Sequence, residues 1–245
     1  MILNLQVPQS WSGLTQEQLQ YACFLLSSGH YEADQVKALA IIRWGKLQPK
    51  TYTPDGLQVQ TEQGEQVVIR SEQLAGFLPL MDWLMAVPER PVRWEKVQGC
   101  EAFRADLQGL PFEQYLTLEN LYQGYIHTKN FLLLDEMTPL LYGKKLHLTA
   151  AEAHGVFLWI ASVKKHFAER FPHFFVLSPV ESEQVDAATY NRLRRAMNMQ
   201  IRALTQGDIT KEKEILQMDT WRALTELDAQ AEEYEQIKNK YPHVK

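Results

Sequence analysis

The last sixty residues of the chain form its longest stretch of helix-favouring sequence. Between Asp186 and Tyr241 there is no proline, and the only glycine is Gly207. Because proline and glycine are the residues that most often break helices, the stretch predicts two helices, from Asp186 to about Gln206 and from Lys211 to about Lys240. A long, charged, amphipathic helix pair is typical of proteins that pack helices or bind partners, and not of a catalytic pocket.

The first of these two helices has an apolar side and a basic side. Its apolar residues recur at helical spacing, and they are Tyr190, Leu193, Met197, Ile201 and Leu204. Arg192, Arg195 and Arg202 lie on the other side, where they either contact phosphate groups or pair with acids of the last helix. We favour ion pairing, because the last helix is acidic and the short turn at Gly207 lets the helices fold back antiparallel. The acidic candidates are Glu212, Glu214, Glu226, Glu232 and Glu233.

The last helix carries apolar residues that are mostly three positions apart. Their stripe therefore drifts around the helix and does not keep the repeat of a long coiled coil. One antiparallel neighbour cannot bury so wide a stripe, and exposed apolar surface marks interaction sites. We therefore expect this helix to bind a protein partner or a second copy of the chain. The predicted partner-binding residues are Met218, Trp221, Leu224, Leu227, Tyr234 and Ile237.

Capping and periodicity signals predict further helices at residues 15–27, 32–44, 71–84, 111–125 and 149–171. The first and the last of these begin with a threonine that is followed three positions later by Gln or Glu, which is the capping-box pattern. The helix that begins near residue 149 is apolar nearly all round, as expected of a helix at the centre of a core.

The convincing strand signals lie in the N-terminal part of the chain. Alternating apolar residues predict a short strand at residues 3–7, and turn signals around Gly56 and Gly64 predict a hairpin within residues 57–69. The fold class expected is mainly α, bundle-like, with this small β-hairpin region. Prolines and a glycine near residues 87–100 suggest a boundary between an N-terminal α+β region, residues 1–95, and a C-terminal helical domain, residues 96–245.

The two N-terminal helices and the hairpin also resemble part of a winged helix-turn-helix, which makes a DNA-binding regulator the alternative function. The second helix would be the recognition helix, and Lys37 and Arg43 are its candidate nucleic-acid contacts. That helix is largely apolar, and the net charge of the chain is −5. Both features disfavour nucleic-acid binding, because such proteins usually carry a basic surplus.

No motif in the sequence specifies a reaction. His147, Glu152 and His154 lack the spacing of a zinc-protease site, and Asp135-Glu136 is interpreted as a solvated turn. We expect no metal, no cofactor and no catalytic residue, although an enzyme with a dispersed site remains a third possibility.

The cysteine pattern and the N-terminus bear on location. Cys23 and Cys100 stand alone, as expected of reduced cysteines in the cytoplasm. The N-terminus lacks a basic leader, so we expect no signal peptide. No apolar run approaches the roughly 20 residues of a membrane span.

Three stretches of the chain resemble uncharacterised proteins carried by prophages and related mobile elements. They are Val7-Pro8-Gln9-Ser10-Trp11, Pro111 to Tyr125, and Gly207 to Leu227. The resemblance implies an accessory part in virion or tail assembly, and therefore protein binding and not catalysis. The function expected is a non-enzymatic interaction or assembly protein that works through the terminal helix pair.

Overall fold

A computed structural model describes residues 6–175 and 187–240, with only the backbone for 187–194. The prediction of a mainly α fold with a small antiparallel sheet near the N-terminus is confirmed. The strand predicted at residues 3–7 lies mostly outside the described residues, and residues 6–9 have no regular structure. None of the helices in the described part is long and apolar enough to cross a membrane.

The chain divides into two compact units. The N-terminal unit comprises residues 1–95 and 148–162, and the C-terminal unit comprises residues 96–147 and 163–245. The division expected from sequence has the same boundary after residue 95, but it assigns 148–162 to the C-terminal part. Residues 148–162 contain the first part of a long helix whose remainder belongs to the C-terminal unit.

Two helices begin the N-terminal unit. Helix α1 spans Gln16–Ser27 and is preceded by a complete capping box between Thr15 and Gln18. Helix α2 spans Ala33–Trp44 and ends at Gly45. Their buried residues recur at helical spacing and are Leu19, Ala22, Cys23 and Leu25 in α1, and Val36, Ala40, Ile41 and Trp44 in α2. Both helices match the sequence prediction.

The sheet has three strands, where the sequence predicted a two-stranded hairpin. Strands β1 (Gln48–Thr53), β2 (Gly56–Gln60) and β3 (Gln66–Ile69) form an antiparallel meander in the order β1-β2-β3. Leu47, Val59 and Ile69 form its buried core. Strand β1 has an irregular register near Pro49 and is exposed along nearly its whole length. It therefore lacks the alternation of apolar and polar residues that identifies a half-buried strand.

A short helix and a cluster of tryptophans follow the sheet. Helix α3 spans Ser71–Phe77 and continues as a 3₁₀ helix over Leu78–Met85, because Pro79 lacks the backbone N–H that a continued α-helix requires. The ring of Trp83 lies 5.5 Å from that of Trp11 and 6.1 Å from that of Trp44. The indole N–H of Trp11 donates to the carbonyl oxygens of Trp83 and Ala86. The cluster thus joins the start of the chain to α2 and to the 3₁₀ helix.

Helix α7, Ala150–Arg170, contributes its first three turns to the N-terminal unit. The predicted capping box is present, because the backbone N–H of Thr149 donates to Oε2 of Glu152 and the backbone N–H of Glu152 donates to Oγ1 of Thr149. The buried indole of Trp94 packs directly over Gly155, where a Cβ would meet Nε1 at 2.9 Å. Glycine at this position therefore permits the close approach of the indole to the helix.

The C-terminal unit is built from helices and one minimal hairpin. Its hairpin consists of β4 (Lys96–Val97) and β5 (Cys100–Glu101). The helices are α4 (Phe112–Thr128), α5 (Leu132–Asp135), α6 (Thr138–Tyr142), the end of α7, α8 (Pro172–Phe175), α9 (Ala187–Thr205), α10 (Glu212–Gln217) and α11 (Thr220–Lys240). Gly143 ends helix α6 in a left-handed conformation.

Aromatic rings form the centre of the C-terminal unit. Phe167 on α7 packs edge-to-face against Tyr115 on α4 at 5.7 Å and against Trp221 on α11 at 5.6 Å. Phe171 contacts both Phe167 and Trp221. Edge-to-face pairs of this kind add about 0.5–1.5 kcal/mol beyond the burial of apolar area. The cluster connects α4, α7 and α11, and it therefore fixes the helix that carries the predicted partner surface.

Replacing Gly155 with alanine is expected to lower the free energy of unfolding by about 1–3 kcal/mol, because the added methyl group overlaps the buried indole of Trp94. Gly76→Ala in α3 is the matched control. Nothing lies within 4 Å of its added Cβ, so it should stabilise the protein by about 0.5–1 kcal/mol. Urea denaturation measures both variants. Equal stability of the two variants would contradict the close packing at Gly155.

Candidate interaction surface

The helix predicted to run unbroken from Lys211 to Lys240 is interrupted. A 3₁₀ turn at Ile209–Lys211 leads into α10, which ends at Gln217, and α11 begins only at Thr220. Met218 between them is extended, with φ −62° and ψ 148°. No proline or glycine lies at this break. The break is instead made by contacts with a distant segment of the chain.

The break pairs with the start of α4 through backbone hydrogen bonds. Pro111 and Asp219 form an isolated antiparallel bridge. The N–H of Phe112 donates to the carbonyl oxygen of Met218 at 2.8 Å, and the N–H of Thr220 donates to that of Leu110 at 2.9 Å. The hydroxyl of Thr220, which is fully buried, also donates to the Leu110 carbonyl at 2.7 Å. The first residues of α4 and α11 are thus held side by side.

The carboxylate of Asp219 completes this junction. Its Oδ2 accepts from the backbone N–H of Gly109 at 2.6 Å, and its Oδ1 accepts from the backbone N–H of Arg222 at 3.2 Å. The second bond caps the N-terminus of α11, where a carboxylate is also favoured by the helix dipole. Asp219 therefore both begins α11 and holds it to the loop that precedes α4.

The first half of α11 belongs to the core, and this corrects the predicted partner surface. Leu224 and Leu227 are 0% and 4% exposed. Trp221 packs in the aromatic cluster, and its indole N–H donates to the carbonyl oxygen of Asp106 at 2.8 Å. Met218 is half-buried and lies in the junction between α10 and α11. These four residues serve the chain's own packing, because α4, α8 and α9 all pack against α11 where the sequence suggested a single neighbour.

The second half of α11 remains exposed. Tyr234 follows Leu227 by seven residues, so it continues the same helix face, yet it is 66% exposed. Ile237, one turn further, is 61% exposed. Glu226 and Glu233, both exposed, lie on the face that also carries Ile237. We call Glu226, Glu233, Tyr234 and Ile237 the α11 surface.

Helix α8 docks on another side of α11 through polar contacts. Nδ1 of His173 lies 3.2 Å from Oε2 of Glu235, and the backbone N–H of Phe174 donates to Oδ1 of Asp228 at 2.9 Å. The hydrogen bond with Glu235 raises the pKa of His173 above its ordinary value, and the negative charges of Glu232, Asp228 and Glu235 add to this effect. Protonated His173 therefore strengthens the contact between the two helices.

The two arginines of α9 whose side chains the structure describes do not make the expected ion pairs. Arg195 and Arg202 are exposed, and within the described part of the chain no ion pair joins either of them to an acid of α10 or α11. The side chain of Arg192 lies outside the described residues. Met199, between the two arginines, is 68% exposed. We call Arg195, Met199 and Arg202 the α9 face.

Two shallow hollows adjoin α9. One has a volume of about 400 Å³, and Arg202 and Glu212 are among its lining residues. The other, of about 330 Å³, lies between α4, α9 and α10. Asn198 and Ile201 line both hollows. Their walls combine polar and apolar side chains.

The candidate nucleic-acid residues of α2 are already engaged by acids. Nζ of Lys37 lies 2.6 Å from Oδ1 of Asp82 and 3.4 Å from Oδ1 of Asp34. Arg43 pairs with Glu17 at 3.3 Å and lies over the ring of Tyr21. A side chain whose charge is neutralised in this way attracts phosphate weakly, so α2 has few features of a recognition helix.

One pairing of chemically capable residues was missed by the sequence interpretation. Asp135 is not in a solvated turn: it is 8% exposed, and its Oδ2 lies 3.2 Å from Nδ1 of His147. His154, in contrast, is mostly buried, which lowers its pKa to about 4. The described residues contain no group of three or more His, Cys, Asp or Glu side chains that could hold a metal ion. The apolar run immediately before Asp135 was the available signal for its burial.

Asp219→Ala is expected to lower the free energy of unfolding by about 0.5–2 kcal/mol, because α11 loses its capping side chain and Gly109 loses its hydrogen-bond acceptor. Asp219→Asn retains a side-chain oxygen and should lose less. Denaturant unfolding, followed by tryptophan fluorescence, compares the two. If alanine and asparagine are equivalent to the native residue, the junction does not depend on this side chain.

The contact between α8 and α11 should weaken as the pH rises. The pKa of His173 is raised in the folded state above its ordinary 6.5, so the stabilisation is fully present below pH 6.5 and is lost as the pH passes through the raised value. A histidine NMR titration should give a pKa above 6.5 that falls in Glu235→Gln and does not change in Glu226→Gln. If the pKa of His173 is the same in Glu235→Gln as in the native protein, this hydrogen bond is absent in solution.

Comparisons of the chain with protein-family models, with curated proteins and with solved structures found no match. The resemblance to prophage and mobile-element proteins therefore stays a prediction. Helices α9 and α11 leave charged and apolar side chains exposed.

Proposed function

We propose that the protein is a non-enzymatic interaction and assembly protein that binds a protein partner through the α11 surface. The observation that carries this proposal is the change in burial along one helix face, from 4% exposure at Leu227 to 66% at Tyr234. The apolar face continues past the point where the chain covers it. Exposed apolar side chains on an ordered helix are typical of interaction sites.

The anchoring of α11 supports binding at its far end. The junction at Asp219 and the aromatic cluster around Trp221 hold the first half of the helix, and α8 holds it again through Asp228 and Glu235. A surface that is already ordered costs little conformational entropy when a partner binds. Burying Tyr234 and Ile237 contributes about 1.5–3 kcal/mol each, so these residues act as anchors within a larger contact.

We further propose that the protein acts in the assembly of phage or mobile-element particles. The resemblance in three stretches of the chain supports an accessory role in virion or tail assembly. Cys23 and Cys100 are both free cysteines, and burial raises the pKa of the Cys23 thiol to about 12, which makes it unreactive. Two free cysteines, one of them buried and unreactive, support a cytoplasmic protein.

A photoreactive benzophenone amino acid in place of Tyr234 should form a covalent product with the partner in the cells that make the protein. The same amino acid in place of Tyr52, which is 73% exposed on β1 of the N-terminal unit, is the matched control. Mass spectrometry identifies the product, and Ile237→Ser should reduce its yield. Circular dichroism should show unchanged folding, because substitutions of exposed residues usually change stability by less than about 0.5 kcal/mol.

Two results would count against the proposal. One is an equal yield of products from positions 234 and 52. The other is a product at position 234 whose yield falls no more in Ile237→Ser than in Leu132→Ser, a substitution of an exposed leucine (63% exposed) elsewhere in the C-terminal unit. Either would show that the α11 surface has no particular affinity for proteins.

A further inference from the structure

The C-terminal unit exposes two helix faces of opposite charge. The α9 face has arginines at positions 195 and 202, and the α11 surface has glutamates at positions 226 and 233. Within the described part of the chain, no ion pair joins these arginines to these glutamates. Both faces therefore offer charge to a surface outside the chain.

The two faces have matching dimensions. Each pair of like charges is seven residues apart on a helix, which corresponds to about 10.5 Å along the helix axis. Two helices laid side by side can therefore form both ion pairs at once. Side chains seven apart also lie on nearly the same face of a helix, so both arginines can face both glutamates.

Each face also presents apolar side chains close to its charges. Met199 lies between Arg195 and Arg202 and is 68% exposed. Ile237 lies one turn beyond Glu233, with Tyr234 beside it. An apolar centre with a charged rim is the usual composition of a protein interface. Methionine suits such a contact, because its flexible side chain adapts to the surface it meets.

We propose that the occupant of the α11 surface is the α9 face of a second copy of this chain. This inference rests on the proposed function and names its partner. The contact is heterologous, because the surface that one copy uses differs from the surface that its neighbour uses. A pair formed in this way retains one free α9 face and one free α11 surface, so association continues until it closes into a ring or extends as a filament.

Charge reversal tests this arrangement with purified full-length protein. The α9 variant is Arg195→Glu with Arg202→Glu, and the α11 variant is Glu226→Arg with Glu233→Arg. Light scattering and sedimentation should show that the wild-type protein self-associates and that each variant alone associates about tenfold or more weakly. Mixing the two variants should restore association, because the reversed faces complement each other. Lys50→Glu with Arg90→Glu, which replaces two exposed cations of the N-terminal unit, makes the same charge change as the α9 variant and should leave association unchanged.

The possible outcomes separate this inference from the proposed function. A wild-type protein that stays monomeric at high concentration overturns the inference. The inference is also overturned if neither charge-reversal variant weakens self-association, or if mixing the two variants does not restore association. In each case, cross-linking at position 234 to a different protein would leave the proposed function standing. Retention of an oligonucleotide at low salt that disappears in the α9 variant, without self-association, would assign the α9 face to nucleic acid instead.

Discussion

The C-terminal unit depends on the hydrogen-bonded junction between the starts of α4 and α11. Two short segments that are about 110 residues apart in sequence satisfy each other's backbone groups, and the carboxylate of Asp219 bonds to both sides. The N–H groups at the start of a helix have no partner within it. Pairing the two helix starts satisfies several of them together, and it sets the direction in which α11 leaves the core.

That direction determines which residues of α11 are core and which are surface. The turns nearest the junction face α4 and the aromatic cluster, so Trp221 and Leu224 are packed. Farther along, α8 contacts the helix through Asp228 and Glu235, which lie on a different side from Ile237. Tyr234 and Ile237 are exposed because, among the residues that the structure describes, the surrounding helices cover α11 at its beginning and on one flank.

Local signals predicted helix ends well and missed features that depend on distant contacts. The capping boxes at Thr15 and Thr149 are present as expected, since a cap involves only neighbouring residues. The break at Met218 was missed because its cause is the backbone near Leu110. Strand β1 was missed for a related reason: its partner strand stabilises it, while its own side chains carry no alternation.

For the α9 face and the α11 surface as well, local sequence predicted some features and missed those that depend on distant contacts. The drifting stripe on the last helix was correctly recognised as wider than one neighbour can bury, but the sequence does not indicate that three helices contact it. The expected ion pairs were inferred from a short turn at Gly207. That turn is present, with Gly207 at φ 82°, but it leads into the 3₁₀ turn and α10, and α11 begins only at Thr220. The turn at Gly207 therefore does not determine where Glu226 and Glu233 lie. Arg195 and Arg202 keep their charges exposed, and such charges cost little in water while remaining able to select a partner of opposite sign.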